Sequence, residues 1–77
     1  MIRQSDKGNL KRLGNAIKKV REAKKFSFRE LSYACDIDNS KISKIEKGQI
    51  NITFTTILQL AKALEVHPSE LLQTDFD

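Results

Sequence analysis

The sequence predicts a compact all-α domain of five short helices, and three observations carry that prediction. Apolar residues recur at intervals of three and four along most of the chain, which is the spacing of one face of an α-helix. Residues that commonly begin or end helices stand at the borders of these segments. The alternation of apolar and polar residues that is typical of a strand is missing from the sequence.

The first helix is marked by Leu10, Leu13, Ile17 and Val20, and we expect it to run to about Lys24. The polar residues before it have no helical period, so residues 1–9 are interpreted as a flexible N-terminal arm. The domain proper then spans residues 10–72. Residues 73–77 form a short acidic tail, which is a candidate for a contact between two copies of the chain.

Caps define the second and third helices. The sequence SFRE, residues 27–30, is a capping box that starts a helix running to about Cys35. Asp38 is a suitable N-cap for a third helix from Asn39 to about Lys47. Gly48 is suited to the position just after its end, because glycine adopts the left-handed conformation without strain.

Two further helices complete the prediction. Thr53 caps a fourth helix, and its apolar residues at helical spacing are Phe54, Ile57, Leu58, Ala61 and Leu64. His67 and Pro68 open a short fifth helix, with the proline at its first position. We expect either Leu71 or Leu72 to close the core and the other to be partly exposed.

Composition indicates a single domain with an anionic partner. The chain has 77 residues and a formal net charge of +4. Residues 1–48 carry a charge of +7, from 13 basic and 6 acidic residues, whereas residues 49–77 carry −3, from 1 basic and 4 acidic. The basic end is suited to a phosphate backbone, although a solvated basic surface would have the same composition.

Several kinds of function are disfavoured. The single Cys35 cannot form an internal disulfide, and one cysteine with one histidine cannot build a zinc site, so we expect no metal and no cofactor. No nucleophile–base pair is apparent, and His67 is interpreted as a helix boundary, so we expect no enzyme activity. Without a signal peptide or a long apolar run, a cytoplasmic protein with no membrane association is expected.

The third helix has two distinct faces. With about 100° of rotation per residue, Ile42, Ile45 and Glu46 share one side and are predicted to face the core. The opposite side carries polar residues: Asn39, Ser40, Ser43, Lys44 and Lys47, flanked by Lys41. Side chains of these types can contact base edges in a major groove. From these residues alone, a solvated lysine-rich surface explains the pattern equally well.

Glu46 is predicted to face inward, and a buried carboxylate requires a partner. Arg21, near the end of the first helix, is the best candidate. The sequence therefore predicts an ion pair that ties the first helix to the third.

The segment FSFRELSYACDIDNSKISKIEKG, residues 26–48, resembles the helix-turn-helix of the lambda-repressor-like family, which includes Cro, the phage repressors and Xre-type proteins. The segments LQLAKALEV (58–66) and SELL (69–72) extend the resemblance over residues 10–72. It implies five helices, with the second and third forming the DNA-binding unit.

The residues at the family's base-reading positions are Asn39, Ser40, Ser43 and Lys44. Those expected at phosphates are Lys41, Lys47, Gln49 and Asn51. Arg21 and Glu46 match a pair that bridges helices in some members.

Some positions depart from the family pattern. Phe28 stands where many members have a glutamine that touches a phosphate, so that contact is not carried over. Ser32 replaces a small alanine between the two helices. The residues Lys25, Asp36 and Glu65 stand where glycine is common at helix ends, and aspartate tolerates the left-handed conformation better than most residues.

The resemblance implies a sequence-specific DNA-binding transcriptional regulator, nucleoid-associated when bound, that binds a palindromic operator as a homodimer through the major groove. Repression is the commoner outcome in the family. A module this small would act either by occupying an operator or by touching RNA polymerase. The candidate dimer contacts are His67, Pro68, Leu72 and Phe76. The alternatives are an antitoxin or protein-interaction module that also binds its own promoter together with a toxin partner, and a non-specific nucleic-acid-binding protein.

Overall fold

The computed structural model describes residues 3–76, and within that range the chain is all-α, as predicted. Four α-helices follow one another: α1 (Gln4–Ala23), α2 (Phe28–Cys35), α3 (Asn39–Glu46) and α4 (Phe54–Leu64). The predicted fifth helix is instead a single 3-10 turn, Pro68–Leu71. Its backbone amides donate to carbonyls three residues earlier in the chain: Glu70 N to His67 O at 2.9 Å and Leu72 N to Ser69 O at 3.1 Å. Four residues are too few to establish an α-helical ladder.

The N-terminal arm expected over residues 1–9 is largely helical. α1 begins at Gln4, and the amide of Lys7 already donates to the carbonyl of Arg3 at 3.0 Å. Side chains one turn apart support this extension, because Arg3 pairs with Asp6 at 3.6 Å and Arg12 donates to Asn9 at 3.3 Å. A polar helical turn has no apolar period, so the sequence pattern did not reveal it. Residues 1 and 2 lie outside the described range.

The predicted caps at Ser27, Gly48 and Thr53 are confirmed. Ser27 and Glu30 form both bonds of the capping box, at 3.1 and 2.9 Å. The hydroxyl of Thr53 accepts from the amide of Thr56 at 3.3 Å. Gly48, at φ 72°, ends α3 in a Schellman motif, with its amide on Ile45 O at 3.0 Å and the next amide on Lys44 O at 2.9 Å.

Asp38 occupies the N-cap position of α3, but its side chain makes no bond to the backbone of the helix. Its carboxylate accepts instead from the hydroxyl of Ser40. The preceding turn is held by other contacts. Asp36 adopts the left-handed conformation at φ 58°, and the hydroxyl of Ser32 donates to the carbonyl of Ile37. This turn sets the direction in which α3 leaves α2.

The core lies where the four helices and the 3-10 turn meet. Its most deeply buried side chains are Ile17, Leu31, Ile42, Leu60, Leu64 and Leu71. Leu71 is fully buried while Leu72 remains 40% exposed, so the predicted division between these two leucines is confirmed. In α4, Phe54 is 65% exposed and Leu58 is 37% exposed, although both share the helical spacing of their buried neighbours.

Gly14 brings the backbones of α1 and α3 into direct contact. A Cβ at this position would lie 2.4 Å from the carbonyl oxygen of Glu46 and 2.5 Å from that of Ile45. Those oxygens belong to the last turn of α3, so any side chain at residue 14 would push the two helices apart. Glycine is therefore required here by the close approach of two backbones.

The ion pair predicted between Arg21 and Glu46 is formed. Arg21 donates from Nε to Glu46 Oε2 at 2.7 Å and from Nη2 to Oε1 at 3.2 Å, and both side chains are buried. Its Nη1 donates to the carbonyl of Phe26 at 2.8 Å, and its guanidinium carbon lies 4.4 Å from the centre of the Phe28 ring. The pair thus joins α1, the connection to α2, and α3 in one network.

Replacing Gly14 by alanine should destabilise the fold by about 2 kcal/mol, because the new methyl group overlaps the backbone of α3. The matched control is Gly8→Ala in the same helix. There the nearest atom to a new Cβ is Arg12 Nη1 at 3.6 Å, an ordinary contact, so the gain in helix propensity should stabilise by about 0.5–1 kcal/mol. Urea unfolding of both variants measures the difference, and equal effects would contradict the proposed contact.

Replacing Glu46 by glutamine should lower the free energy of unfolding by about 3 kcal/mol, because Arg21 would keep a buried charge without its counter-ion. A shift of more than about 10 °C in Tm follows for a domain of this size. Asp6→Asn removes the carboxylate of the exposed Arg3–Asp6 pair and should change stability by less than about 1 kcal/mol. Thermal melting by circular dichroism compares them, and an unchanged Tm for Glu46→Gln would refute the structural role of the pair.

Candidate nucleic-acid interface

The polar side of α3 faces solvent and its apolar side faces the core, as the helical rotation predicted. Ile42 is fully buried, Ile45 is 3% exposed and Glu46 is 6% exposed. The predicted contact residues lie on the other side. Exposed residues there are Asn39, Ser40, Lys41, Lys44 and Lys47, with Ser43 half-buried among them. Since α3 is only eight residues long, nearly half of it serves to attach it to the domain.

The side chains of this face differ in whether they already form hydrogen bonds within the domain. The hydroxyl of Ser40 donates to Asp38, whereas Asn39, Lys44 and Lys47 make no side-chain hydrogen bond or ion pair within residues 3–76. Their amide and ammonium groups are available to an external partner without breaking an internal contact. An external base edge or phosphate would satisfy such donors.

The loop after α3 carries the other two residues that are predicted to contact DNA phosphates. Gln49 and Asn51 are exposed, while Ile50 and Ile52 between and after them are half-buried against the core. This alternation directs both polar side chains to the solvent side. The loop is thereby anchored by its isoleucines, and the side-chain amides of Gln49 and Asn51 make no hydrogen bond within residues 3–76.

Phe28 stands at the start of α2 and supplies no hydrogen-bond donor. Its ring is 37% exposed and stacks on the guanidinium of Arg21 at 4.4 Å, a cation–π distance. The ring therefore packs over the buried ion pair on one side and meets solvent on the other. A polar contact to a phosphate from this side chain is excluded by its chemistry.

A cleft of about 290 Å³ lies between α1 and α3. Its lining residues are Lys11, Asn15, Lys18, Phe28, Ser43, Glu46 and Lys47. The sequence prediction assigned no site to Lys11, Asn15 or Lys18. Their spacing of four and three residues places them on one face of α1, but only the packing of the two helices shows that this face meets α3.

Two titratable side chains outside this face, those of Cys35 and His67, have structural roles. Cys35 is 7% exposed, and burial raises the pKa of its thiol, which keeps it protonated. The ring of His67 accepts from the amide of Ser69 at 3.1 Å and so caps the 3-10 turn.

Within residues 3–76, His, Cys, Asp and Glu side chains form no cluster of three that could hold a metal ion. Neither does any helix of this range have the length and apolarity needed to span a membrane.

The predicted dimer contacts lie at the acidic end of the chain. Leu72 and Phe76 are 40% and 41% exposed, His67 is exposed and Pro68 is half-buried. Phe54 and Leu58 in α4 are further exposed apolar residues that the sequence prediction did not assign to a contact. One signal was available. The five apolar residues predicted to mark α4, together with Leu60, span about 160° of the helix, which is wide for a single buried stripe.

Comparison with known proteins gives consistent matches. A family described as "Helix-turn-helix domain" matches residues 14–75. Control protein C.BamHI of Bacillus amyloliquefaciens is 35% identical over 60 residues, which are 77% of this chain and 74% of that protein. The crystal structure of the restriction-modification controller protein C.AhdI from Aeromonas hydrophila has a TM-score of 0.81 and 34% identity, and the match covers 83% of this chain and 97% of that chain.

A regulator with a different description also shares the fold. The clp gene regulator ClgR from C. glutamicum has a TM-score of 0.77 at 25% identity, covering 82% of this chain and 83% of that chain. The family match includes α2, α3 and the turn between them. The chain therefore belongs to the Xre-type helix-turn-helix family of DNA-binding transcription regulators.

Proposed function

We propose that this protein is a controller-type transcriptional regulator that binds a palindromic operator as a homodimer, with α3 in the major groove. The observation that carries the proposal is the division of α3 into two faces. Ile42, Ile45 and the paired Glu46 hold the helix, while its polar side chains face solvent. The similarity to C.BamHI and C.AhdI, a control protein and a restriction-modification controller, supports a restriction-modification operon as the target.

The side chains divide into two roles by chemistry and position. Asn39 is suited to adenine and Lys44 to guanine, and a serine hydroxyl can serve either base. The base-reading set is therefore Asn39, Ser40, Ser43 and Lys44. Residues at the ends of α3 and in the following loop hold the DNA backbone and fix the register of the helix. That set is Lys41, Lys47, Gln49 and Asn51.

Dimerisation is proposed at the acidic end of the chain. The charge of −3 over residues 49–77 keeps that end away from phosphates, whereas the +7 of residues 1–48 attracts them. The exposed Leu72 and Phe76 supply apolar area there, with His67 and Pro68 nearby in the chain. A symmetric dimer would place two copies of α3 on half-sites about 34–36 Å apart. Repression then follows from occupation of the operator.

Selection of bound sites from random DNA, followed by Kd measurement at several salt concentrations, tests base reading. Lys44→Ala should cost about 1–3 kcal/mol and relax the preference at one base pair of each half-site. Lys47→Ala should weaken binding on all sequences alike and reduce the salt slope by about one. The two variants have equal charge, so they differ only in the position of the lost lysine. Equal weakening on every sequence would contradict base reading by α3, and a selection without a consensus would indicate non-specific binding.

Sedimentation of the free protein at micromolar concentration tests the homodimer. The wild-type chain should sediment as a dimer, and Leu72→Glu should raise the dissociation constant by at least tenfold, because burial of one leucine is worth about 1.5–3 kcal/mol. Tyr33→Glu is the matched control, since this side chain is 82% exposed and lies on α2, outside the acidic end. It should leave the association unchanged. A wild-type chain that is monomeric both free and on DNA would rule out the dimer.

A further inference from the structure

We propose that the cleft between α1 and α3 binds a phosphodiester group of the DNA backbone beside the major groove. The site, called here the lysine cleft, consists of Lys11, Asn15 and Lys18 from α1 and of Lys47, the C-cap residue of α3. This inference rests on the proposed function. It adds α1 to the DNA-binding surface and assigns a ligand to three residues that have no other contact role.

The lysine cleft is built by two helix faces at a fixed separation. Lys11, Asn15 and Lys18 lie within about 60° of one another around α1, so all three point to the same side. Ser43 in α3 and Lys47 at its C-cap lie one turn apart and form the opposite wall. Gly14, with no side chain, lets the two backbones approach and keeps these walls close.

Charge favours an anion in this cleft. Lys11, Lys18 and Lys47 are exposed, and none of the three forms an ion pair within residues 3–76. The one carboxylate in the lining, Glu46, is neutralised by the buried two-bond contact with Arg21. Three lysines without an ion-pair partner among the described residues thus line the cleft. Lysine binds phosphate as a point charge, and the amide of Asn15 offers a further donor.

The position of the cleft favours a DNA phosphate over a free anion. Ser43 lines the cleft and also belongs to the base-reading face of α3, so the two surfaces are continuous. With α3 in a major groove about 12 Å wide, the sugar–phosphate backbone at its border would pass beside α3. The lysine cleft lies on the α1 side of that helix. A phosphate there would be contacted by α1 and α3 together.

Two neighbouring side chains, Phe28 and Arg21, offer no substitute for such a contact. Phe28 at the start of α2 has no donor for a phosphate. Arg21 is buried, three of its five N–H groups already donate to Glu46 and to the carbonyl of Phe26, and the Phe28 ring lies over its guanidinium. Lys11 and Lys18 of α1, together with Lys47, are therefore cations of the cleft that form no ion pair within the part of the chain that the structure describes.

The test measures the salt dependence of DNA affinity for Lys11→Ala, Lys18→Ala and the double variant on one selected site. Each removed phosphate contact should make the slope of log K against log salt shallower by about 0.9, so the double variant should lose about 1.8. Base preference should not change. The control is Lys62→Ala, which removes one charge from α4 beside the end of α2 and should leave the slope unchanged.

Ethylation interference on the same site locates the contact. Wild-type protein should lose binding when particular phosphates flanking each half-site are ethylated, and the double variant should no longer respond at those phosphates. The proposal would be overturned if the double variant gave the same salt slope and the same interference pattern as Lys62→Ala. A second result would also overturn it: millimolar inorganic phosphate displaces the DNA at constant ionic strength, and ethylation of the flanking phosphates does not interfere with binding. The cleft would then be a site for free anions.

The same data separate this proposal from the proposed function. Wild-type protein that binds DNA without a consensus would refute the proposed operator binding, while the slopes and interference patterns on that DNA would still decide the role of the cleft. Wild-type protein that selects a consensus, with unaltered slopes in the variants, would refute only the cleft. Circular dichroism melting confirms that the exposed lysine variants remain folded, and absence of any DNA binding by the wild type would refute both.

Discussion

The buried pair between Arg21 and Glu46 is the interaction on which the arrangement of this small domain depends. Removing two charges from water costs several kcal/mol per ion, so the pair is tolerated only with close geometry and satisfied donors. Both conditions hold, because the guanidinium makes two bonds to the carboxylate and a third to the carbonyl of Phe26. These bonds define the position of α3 relative to α1 and to the start of α2.

Direct backbone contact at Gly14 reinforces the same junction. The last turn of α3 packs against α1 at the point where a side chain would not fit. With one side of α3 attached by this contact, by two isoleucines and by the ion pair, the other side is left free for polar side chains. Recognition residues on a helix held this firmly need little ordering when they meet a ligand. The same junction sets α1 beside α3 and creates the lysine cleft.

The connections between the helices are short, and three of them use strained backbone. Lys25, Asp36 and Glu65 have φ near 60°, a conformation that costs non-glycine residues about 1–2 kcal/mol. Each follows the last turn of a helix and reverses the chain within a few residues, so that the next helix packs against the core. Gly48, after α3, adopts the same conformation without the steric cost.

By itself, the sequence determined the features that depend on local chemistry. Helical period assigned the two faces of α3, capping residues gave the starts of α2 and α4, and an inward-facing Glu46 required a cationic partner. The tertiary structure decided what depends on distances between elements. It showed that α1 extends through a polar turn, that Leu60 is buried while Leu58 is exposed, and that Lys11 and Lys18 meet Lys47 across a cleft. Periodicity gives the direction of a side chain around its own helix, but only packing fixes which neighbouring helix that direction meets.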